Sequence, residues 1–436
     1  MDRRVPSLVR SESISSGMAP FTQGGESPQL AGARRLAVLK KRRKFWLEVH
    51  LWLGLGLGLF LSVFGITGAL LVFQSEIDHW LNPALYQATV PAGARLNTLD
   101  EIMASAQRVA PPGWQSAGAE VPARPDENYV FGYWMKRPTL APEQGVSINI
   151  AINPYTAEVV GRRVFYHAWN PLKHCFVGFL FKLHYSLLLS EHFDDAGNIV
   201  VGFMALFLVV SALAGLILWW PLDGKWKRTL TIKKNSGRVR FNHDLHQTTG
   251  FYSLLVLLVV LVSGVYFNLP DQFKWMVERF SALTPEAVAK PAGGKDMTGD
   301  PGRIITHAHA LYPGGRLSYV SLPDQRTRVF SACFEEVPEL RPHVIDTRCL
   351  MLDGSSGEVL QVSDSARGSA GDTFMLWQWP LHSGKAFGWT GRILVFLCGL
   401  ACPLLFTTGV IRWLQKRRAA SFAEQRRGRL AGIPHA

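Results

Sequence analysis

The chain has 436 residues, 48% apolar and 18% charged, a composition that excludes a wholly disordered protein and a length that suits two or three ordinary domains. Lys and Arg outnumber Asp and Glu by 46 to 33, a formal charge of +13 that elsewhere signals nucleic-acid binding. Its distribution removes that reading and implies no nucleic-acid partner, because the basic residues are gathered in blocks that flank apolar runs.

In chain order, residues 1–40 read as a disordered cytoplasmic tail, since the first 33 positions are rich in Ser, Gly and Pro without hydrophobic periodicity. The apolar run that follows is too long for a removable signal peptide and lacks a convincing cleavage site. Four uncharged runs, Val49–Phe73, Ile199–Trp220, Thr248–Leu269 and Ile393–Ile411, are each near the roughly 20 residues of a spanning helix. The predicted transmembrane helices are 41–73, 199–220, 244–269 and 391–414, and their contact with a lipid bilayer requires every backbone polar group to be bonded within the segment. Basic blocks precede the first run (Arg34 to Lys44), fill the loop 221–243 and follow the fourth run in the tail 415–436. By the positive-inside rule these three lie in the cytoplasm, both termini with them, and segments 74–198 and 270–390 lie outside.

The chain repeats itself. His50, in Val-His-Leu-Trp-Leu-Gly-Leu, opens the first span, and His246, in Leu-His-Gln-Thr-Thr-Gly-Phe, opens the third. Both spans later carry a small-residue element, Ile66-Thr67-Gly68-Ala69 and Val262-Ser263-Gly264-Val265, at the same offset from the histidine. His184 (Leu-His-Tyr-Ser) precedes the second span and His382 (Leu-His-Ser-Gly) the fourth, and these spans end in Leu213-Ala214-Gly215-Leu216 and Thr407-Thr408-Gly409-Val410. Each outer segment begins with a short helix, 99–109 and 302–311, and closes with a hairpin, at 152–161 and 352–360. The expected fold is a mainly α membrane protein, a four-transmembrane-helix bundle built from two parallel repeats with two small α+β outer domains. The first outer segment also includes a linker helix.

Any one of these histidines alone reads as an interfacial or carbonyl-bonded residue. Four at corresponding positions, two at each of two depths, read as two pairs of axial ligands, since neutral imidazole binds haem iron and bundles build cofactor sites from facing helices. One haem per pair makes a two-step path for electrons across the bilayer. Gly54 and Gly250, four residues beyond His50 and His246, would leave room for a porphyrin edge or merely allow close helix packing. His243 is an alternative to His246, which only the repeat favours. Arg392, at the outer end of the fourth helix, is the best-placed partner for a haem propionate, ahead of Arg162 and Arg163. Cys333 and Cys349 share an outer segment where a disulfide is permitted but not required, and Cys398 and Cys402 read as packing residues.

These motifs, together with Asp244-Leu245-His246 and the closing Asp353-Gly-Ser-Ser-Gly-Glu-Val-Leu, resemble the PepSY-associated transmembrane helix family over about 40–420. The outer segments look like PepSY domains, the first a poorer match. The resemblance implies a bacterial inner-membrane, periplasm-facing oxidoreductase that holds two b-type haems on His50, His246, His184 and His382 and reduces a ferric siderophore or other ferric chelate for iron uptake. One departure is the insertion Ser190–Gly197, which sets His184 apart from the second span. No Gly-x-Gly-x-x-Gly opens a helix after a strand, so electrons are expected from quinol, a separate flavoprotein or a small reductant. The rival reading is a haem-free anchored PepSY protein that binds or regulates a periplasmic partner such as a peptidase.

Overall fold

The computed structural model describes residues 28–431 apart from 135–145, 169–171, 173–174, 194, 222–223, 225, 286–300, 322–328, 336–347 and 365–367. Its order is α1 (Pro28–Leu71), α2 (Gln74–Leu81), α3 (Pro83–Tyr86), α4 (Leu99–Val109), β1 (Gln115–Glu120), β2 (Tyr129–Trp134), β3 (Val146–Ile152), β4 (Val159–His167), α5 (Phe176–Ser186), α6 (Ser190–Phe193), α7 (Ala196–Trp219) and α8 (Trp226–Leu230). There follow α9 (Arg238–Asn268), α10 (Pro270–Val277), α11 (Pro301–Leu311), β5 (Arg316–Ser321), β6 (Val329–Glu335), β7 (Arg348–Asp353), β8 (Val359–Asp364), α12 (Ala370–His382), a 3-10 turn at Lys385–Phe387 and α13 (Gly388–Ala431).

Four helices, α1, α7, α9 and α13, contain segments long and apolar enough to cross a membrane: Lys40–Leu71, Ala196–Trp219, Arg238–Asn268 and a stretch within Lys385–Arg427. Small residues set how closely they pack. A Cβ on Gly65 would lie 2.5 Å from the Gly399 carbonyl oxygen and 2.5 Å from Cys402 Cβ, so α1 and α13 touch backbone to backbone there. Cys398 and Cys402 are buried at this crossing among Leu208, Leu257 and Leu261, the packing role expected of them.

The helices run beyond the expected limits. Residues 28–40, expected as unstructured tail, continue α1 back to Pro28: proline suits a first helical turn, and the Ala, Leu, Lys and Arg that follow are strong helix formers. Residues 238–243 of the expected loop belong to α9, and the expected tail from 415 continues α13 to Ala431. Residues 1–27 and 432–436 of the expected tails lie outside the described residues.

The two outer segments form one body rather than two separate domains. Among the described residues, the eight strands lie in a single antiparallel sheet of order β4-β3-β2-β1-β5-β6-β7-β8. The join is β1–β5, where Ala119 faces Val320, Glu120 faces Tyr319, and Val121 N donates to Ser318 O at 2.9 Å. Inward residues alternate along β6, at Phe330, Ala332 and Phe334, and they meet Ile102, Met103 and Ala106 of α4 and Ile304, Ile305 and Ala308 of α11 in one core. Two four-stranded meanders each left with an open edge would expose unpaired backbone, and pairing those edges removes the liability. Cys333 and Cys349 face each other across β6 and β7 and are disulfide-bonded.

Candidate functional site

Four histidines converge in two pairs. The rings of His50 and His246 have centroids 6.2 Å apart with planes at 71°, and those of His184 and His382 are 6.0 Å apart at 68°. His50 projects from α1 and His246 from α9, both near the bundle end far from the sheet. His184 comes from the last turn of α5 and His382 from the last residue of α12, at the end nearer the sheet. These two were expected merely to precede their spans; each is itself helical.

One hydrogen-bond pattern recurs at all four. His184 Nδ1 lies 2.9 Å from Thr67 Oγ1, His382 Nδ1 2.8 Å from Ser263 Oγ, and His246 Nδ1 2.9 Å from Thr408 Oγ1. Each hydroxyl already donates to a carbonyl one turn back in its own helix, Thr67 to Val63 O, Ser263 to Val259 O and Thr408 to Leu404 O, at 2.7–2.8 Å. The hydroxyl therefore accepts, and the histidine donates from Nδ1–H. His50 Nδ1 is 2.9 Å from the Ser211 carbonyl oxygen, which can only accept. All four imidazoles are thus Nδ1–H tautomers, with a bare lone pair on Nε2, the state that ligates a metal.

Glycine makes the approach possible. A Cβ on Gly68 would lie 2.9 Å from His184 Cε1, one on Gly215 3.1 Å from His50 Cε1, and one on Gly409 3.5 Å from His246 Cε1. In the elements Thr67-Gly68, Ser263-Gly264 and Thr408-Gly409, noticed in the sequence as small-residue motifs, the hydroxyl orients the ring; the glycine is needed for the approach at Gly68, whereas a Cβ on Gly264, 3.9 Å from His382 Cε1, or on Gly409 would make ordinary contact. The second span has Ala214-Gly215 instead, and there Ser211, one turn earlier, supplies a backbone acceptor. Sequence reasoning did not assign these acceptors, nor Asn242, whose Nδ2 donates to Thr408 O at 2.9 Å and ties α9 to the helix that orients His246. The recurring Ser/Thr-Gly was the available signal.

The insertion Ser190–Gly197 does not displace His184. Leu187 and Leu188 turn the chain back with φ of 53° and 61°, Ser190 Oγ donates to Asn198 Oδ1 at 2.9 Å, and Gly197 packs against Ser190, so the two ends of the insertion lie against each other. Pro-free and without obvious turn residues at the reversal, this segment gave no sequence sign of its geometry.

Between His184 and His382 lies a cavity of about 360 Å³, lined by apolar side chains from α1, α7, α9 and α13 and bordered by Arg392. Arg392 donates from Nη2 to Val72 O and pairs with Glu76, its guanidinium 4.8 Å from the Phe73 ring and 4.6 Å from the Trp389 ring, and its buried Nε has no partner among the described residues. Arg163 is committed elsewhere: Nη1 donates to Asp78 Oδ1 at 2.8 Å, Nη2 pairs with Asp78 Oδ2, and Tyr86 and Cys175 join the cluster. Burial alone would raise the Asp78 carboxyl; hydrogen bonds and charge from Arg163, with the Tyr86 hydroxyl, outweigh it and hold it below its ordinary value. Arg162 is exposed.

His243 Nδ1 lies 3.3 Å from Asp244 Oδ1 and takes no part in either pair, so the structure places His246, not His243, opposite His50. His79 stacks on Tyr86 and His309 packs edge-on to Phe334, whereas His174, His343 and His435 lie outside the described residues. Gly54 has open space beside it, and Gly250 meets only Leu405 at 3.6 Å, so neither is needed for packing.

A family model described as the PepSY-associated TM region matches residues 47–416. The chain belongs to this family. No curated relative matches it. With four apolar helices inside the matched region, the chain is a multi-pass membrane protein of the PepSY-associated type.

Haem fits the residues present. Two imidazoles bound through Nε2 at about 2 Å to one iron between them would have ring centroids roughly 6.3 Å apart, close to both observed separations. Each Nε2 is the nitrogen left free, and at one pair an apolar cavity is bordered by an arginine with an unused N–H.

Proposed function

We propose that this chain is a dihaem b-type electron-transfer protein of a bacterial inner membrane that reduces a periplasmic ferric chelate, such as a ferric siderophore, and so releases ferrous iron. The observation that carries this reading is the pair of opposed Nδ1–H imidazoles at each of two depths. Each pair brings two imidazoles within 6.0–6.2 Å with Nε2 unprotonated, the form of the ring that binds a metal. Bound haem supplies one-electron redox chemistry at potentials set by its axial ligands and surroundings.

The chain's own residues hold and orient. His50 and His246 ligate one haem and His184 and His382 the other, with Ser211 O, Thr408, Thr67 and Ser263 locking each ring. Arg392 offers its free Nε–H to a propionate of the second haem. Thr67 and Ser263 each follow the first-pair histidine of their own helix by seventeen residues, about 25 Å of helix, so the two sites sit towards opposite faces of a hydrocarbon core about 30 Å thick.

The basic ends of the bundle support an orientation with both termini and the α7–α9 loop in the cytoplasm and the sheet in the periplasm. The Cys333–Cys349 disulfide accords with an oxidising compartment on that side. The donor is a flavoprotein or quinol. The same reading treats residues of about 45–230 and 240–420 as two parallel repeats, each with a PepSY-like half of the sheet. It is supported by the way each half cradles its own histidines: α1 with α7 and α5, α9 with α13 and α12.

The test is a reduced-minus-oxidised absorption spectrum of detergent-purified protein made with ample haem, with haem quantified per chain. A b-type signal near two haems per chain is expected. Protein without haem would overturn the reading and favour a membrane-anchored protein whose sheet binds a periplasmic partner.

A further inference from the structure

The end of the bundle far from the sheet holds a second, open pocket of about 530 Å³ with a different lining. Arg228 of α8, Arg238 and Arg240 at the start of α9, Arg412 of α13 and His243 line it, and among the described residues no lining residue is acidic. Asp244 balances part of this charge from behind, holding Arg240 Nε at 2.9 Å. At Gly237 the 31-residue α9 begins with no side chain capping its first N–H groups, which adds the positive end of a helix dipole to the same rim.

A charge excess at a membrane face is satisfied by residues spread over the surface, as the exposed Lys416, Arg417 and Arg418 of α13 are. Here four arginines from three separate segments meet at one pocket, where an anion would offset the part of their mutual repulsion that Asp244 leaves unbalanced. Planar guanidiniums in forked pairs match phosphate oxygens in geometry as well as charge.

We propose that this pocket binds a phosphate group, carried either by a small soluble molecule or by a lipid headgroup. The site stands apart from the haem reading: its lining includes none of the four paired histidines. Its position is nonetheless close to one pair, because Arg412 lies one turn beyond Thr408, the residue that orients His246, and His243 lies one turn before His246. A phosphate-bearing ligand here would sit beside the histidine pair remote from the sheet.

The experiment is calorimetric titration of the full-length protein in neutral detergent with flavin mononucleotide, riboflavin, inorganic phosphate and dioctanoyl phosphatidylglycerol. It compares wild type with Arg228→Gln/Arg238→Gln and, as a control of equal charge loss, Arg426→Gln/Arg427→Gln. If the source is soluble, flavin mononucleotide binds at least tenfold more tightly than riboflavin and inorganic phosphate competes. If the source is a lipid, the phosphatidylglycerol binds and the nucleotide does not. In either case the pocket variant loses at least tenfold in affinity, the tail variant stays within twofold, and haem content is unchanged in both. Saturable binding by neither probe, or equal loss in both variants, overturns the proposal. Repeating the titration on His246→Ala protein separates this outcome from the fate of the haem reading, since the phosphate site does not require that ligand.

Discussion

The two histidine pairs reach the same geometry by different routes. His50 and His246 belong to helices that run through the bundle, so helix packing alone positions them. His184 and His382 arrive on α5 and α12, which leave the last strand of each half of the sheet and end against the bundle. Their placement relies on anchors outside the spans. α5 begins at Cys175, beside the buried Asp78–Arg163 cluster that joins α2 to β4. α12 is tied through Asp372, which accepts from Thr284 N at 2.9 Å and Thr284 Oγ1 at 2.7 Å and completes a capping box with Ser369. One pair is a property of the bundle; the other couples the bundle to the sheet.

The largest effects should come from the ligands themselves. His50→Ala or His246→Ala should halve the haem content by emptying the site remote from the sheet, and His184→Ala or His382→Ala should empty the other, each leaving the second site occupied. His243→Ala should leave both. Haem quantification with potentiometric titration separates the two sites, and loss of both haems from any single variant would erase the distinction between the pairs.

Next in size is the anchor. Asp78→Asn leaves Arg163 buried, 13% exposed, with its charge uncompensated, at a cost of about 3 kcal/mol. The loss should fall on the site at His184 and His382, lowering occupancy there while the site at His50 and His246 stays filled. Asp372→Asn, acting through a more exposed contact, should do the same more weakly, by about 1 kcal/mol. Equal losses at both sites would show that the anchors stabilise the whole chain rather than one pair.

The orienting acceptors sharpen the comparison further. Thr67→Val and Thr408→Val each remove the acceptor of a ligand's Nδ1–H, and loss of such a partner lowers metal affinity by roughly 10- to 100-fold. Ser211→Ala should cost less, because it removes only the hydroxyl contact at 3.3 Å and leaves the Ser211 carbonyl that accepts from His50 at 2.9 Å. Measured haem dissociation rates should therefore rank Thr67→Val and Thr408→Val well above Ser211→Ala.

The sequence made the spans, the repeat and the four histidines legible because each depends on local pattern: run length for the helices, spacing for the repeat. The pairing of His50 with His246 and of His184 with His382 is the one the recurring motifs pointed to. What pattern did not reveal was contact between distant segments. Thr67 sits 117 residues from His184, and only the fold makes its hydroxyl an orienting acceptor. Arg163 looked as available to a propionate as Arg392 did, until burial beside Asp78 accounted for it. The joining of two four-stranded segments into one sheet rests on the brief β1–β5 pairing, whose short strands resemble any other edge.

The smallest effects concern the two closing hairpins, which share one turn and differ in its chemistry. Asn153 Oδ1 accepts from Tyr155 N at 2.7 Å, and Asp353 Oδ1 accepts from Ser355 N and Ser356 N at 2.8 Å each. Each turn then places one residue at positive φ, Ala157 at 55° and Gly357 at 72°. Gly357→Ala should destabilise its half of the sheet by about 1 kcal/mol and Ala157→Gly should stabilise the other by up to about the same, since only glycine takes this conformation without strain. The aspartate also carries a charge that the asparagine lacks. The Ser355 hydroxyl and the Ser356 amide hold the Asp353 carboxyl down to about 2, against an ordinary 3.8. A depressed folded-state value means the stabilisation is full above about 3.8 and drains away as pH falls towards about 2. Thermal unfolding at pH 5 and pH 2.5 should therefore show a loss in the wild type that shrinks in Asp353→Asn, whose neutral amide oxygen keeps the turn as Asn153 does, while Asn153→Asp should introduce the same acid sensitivity into the first half.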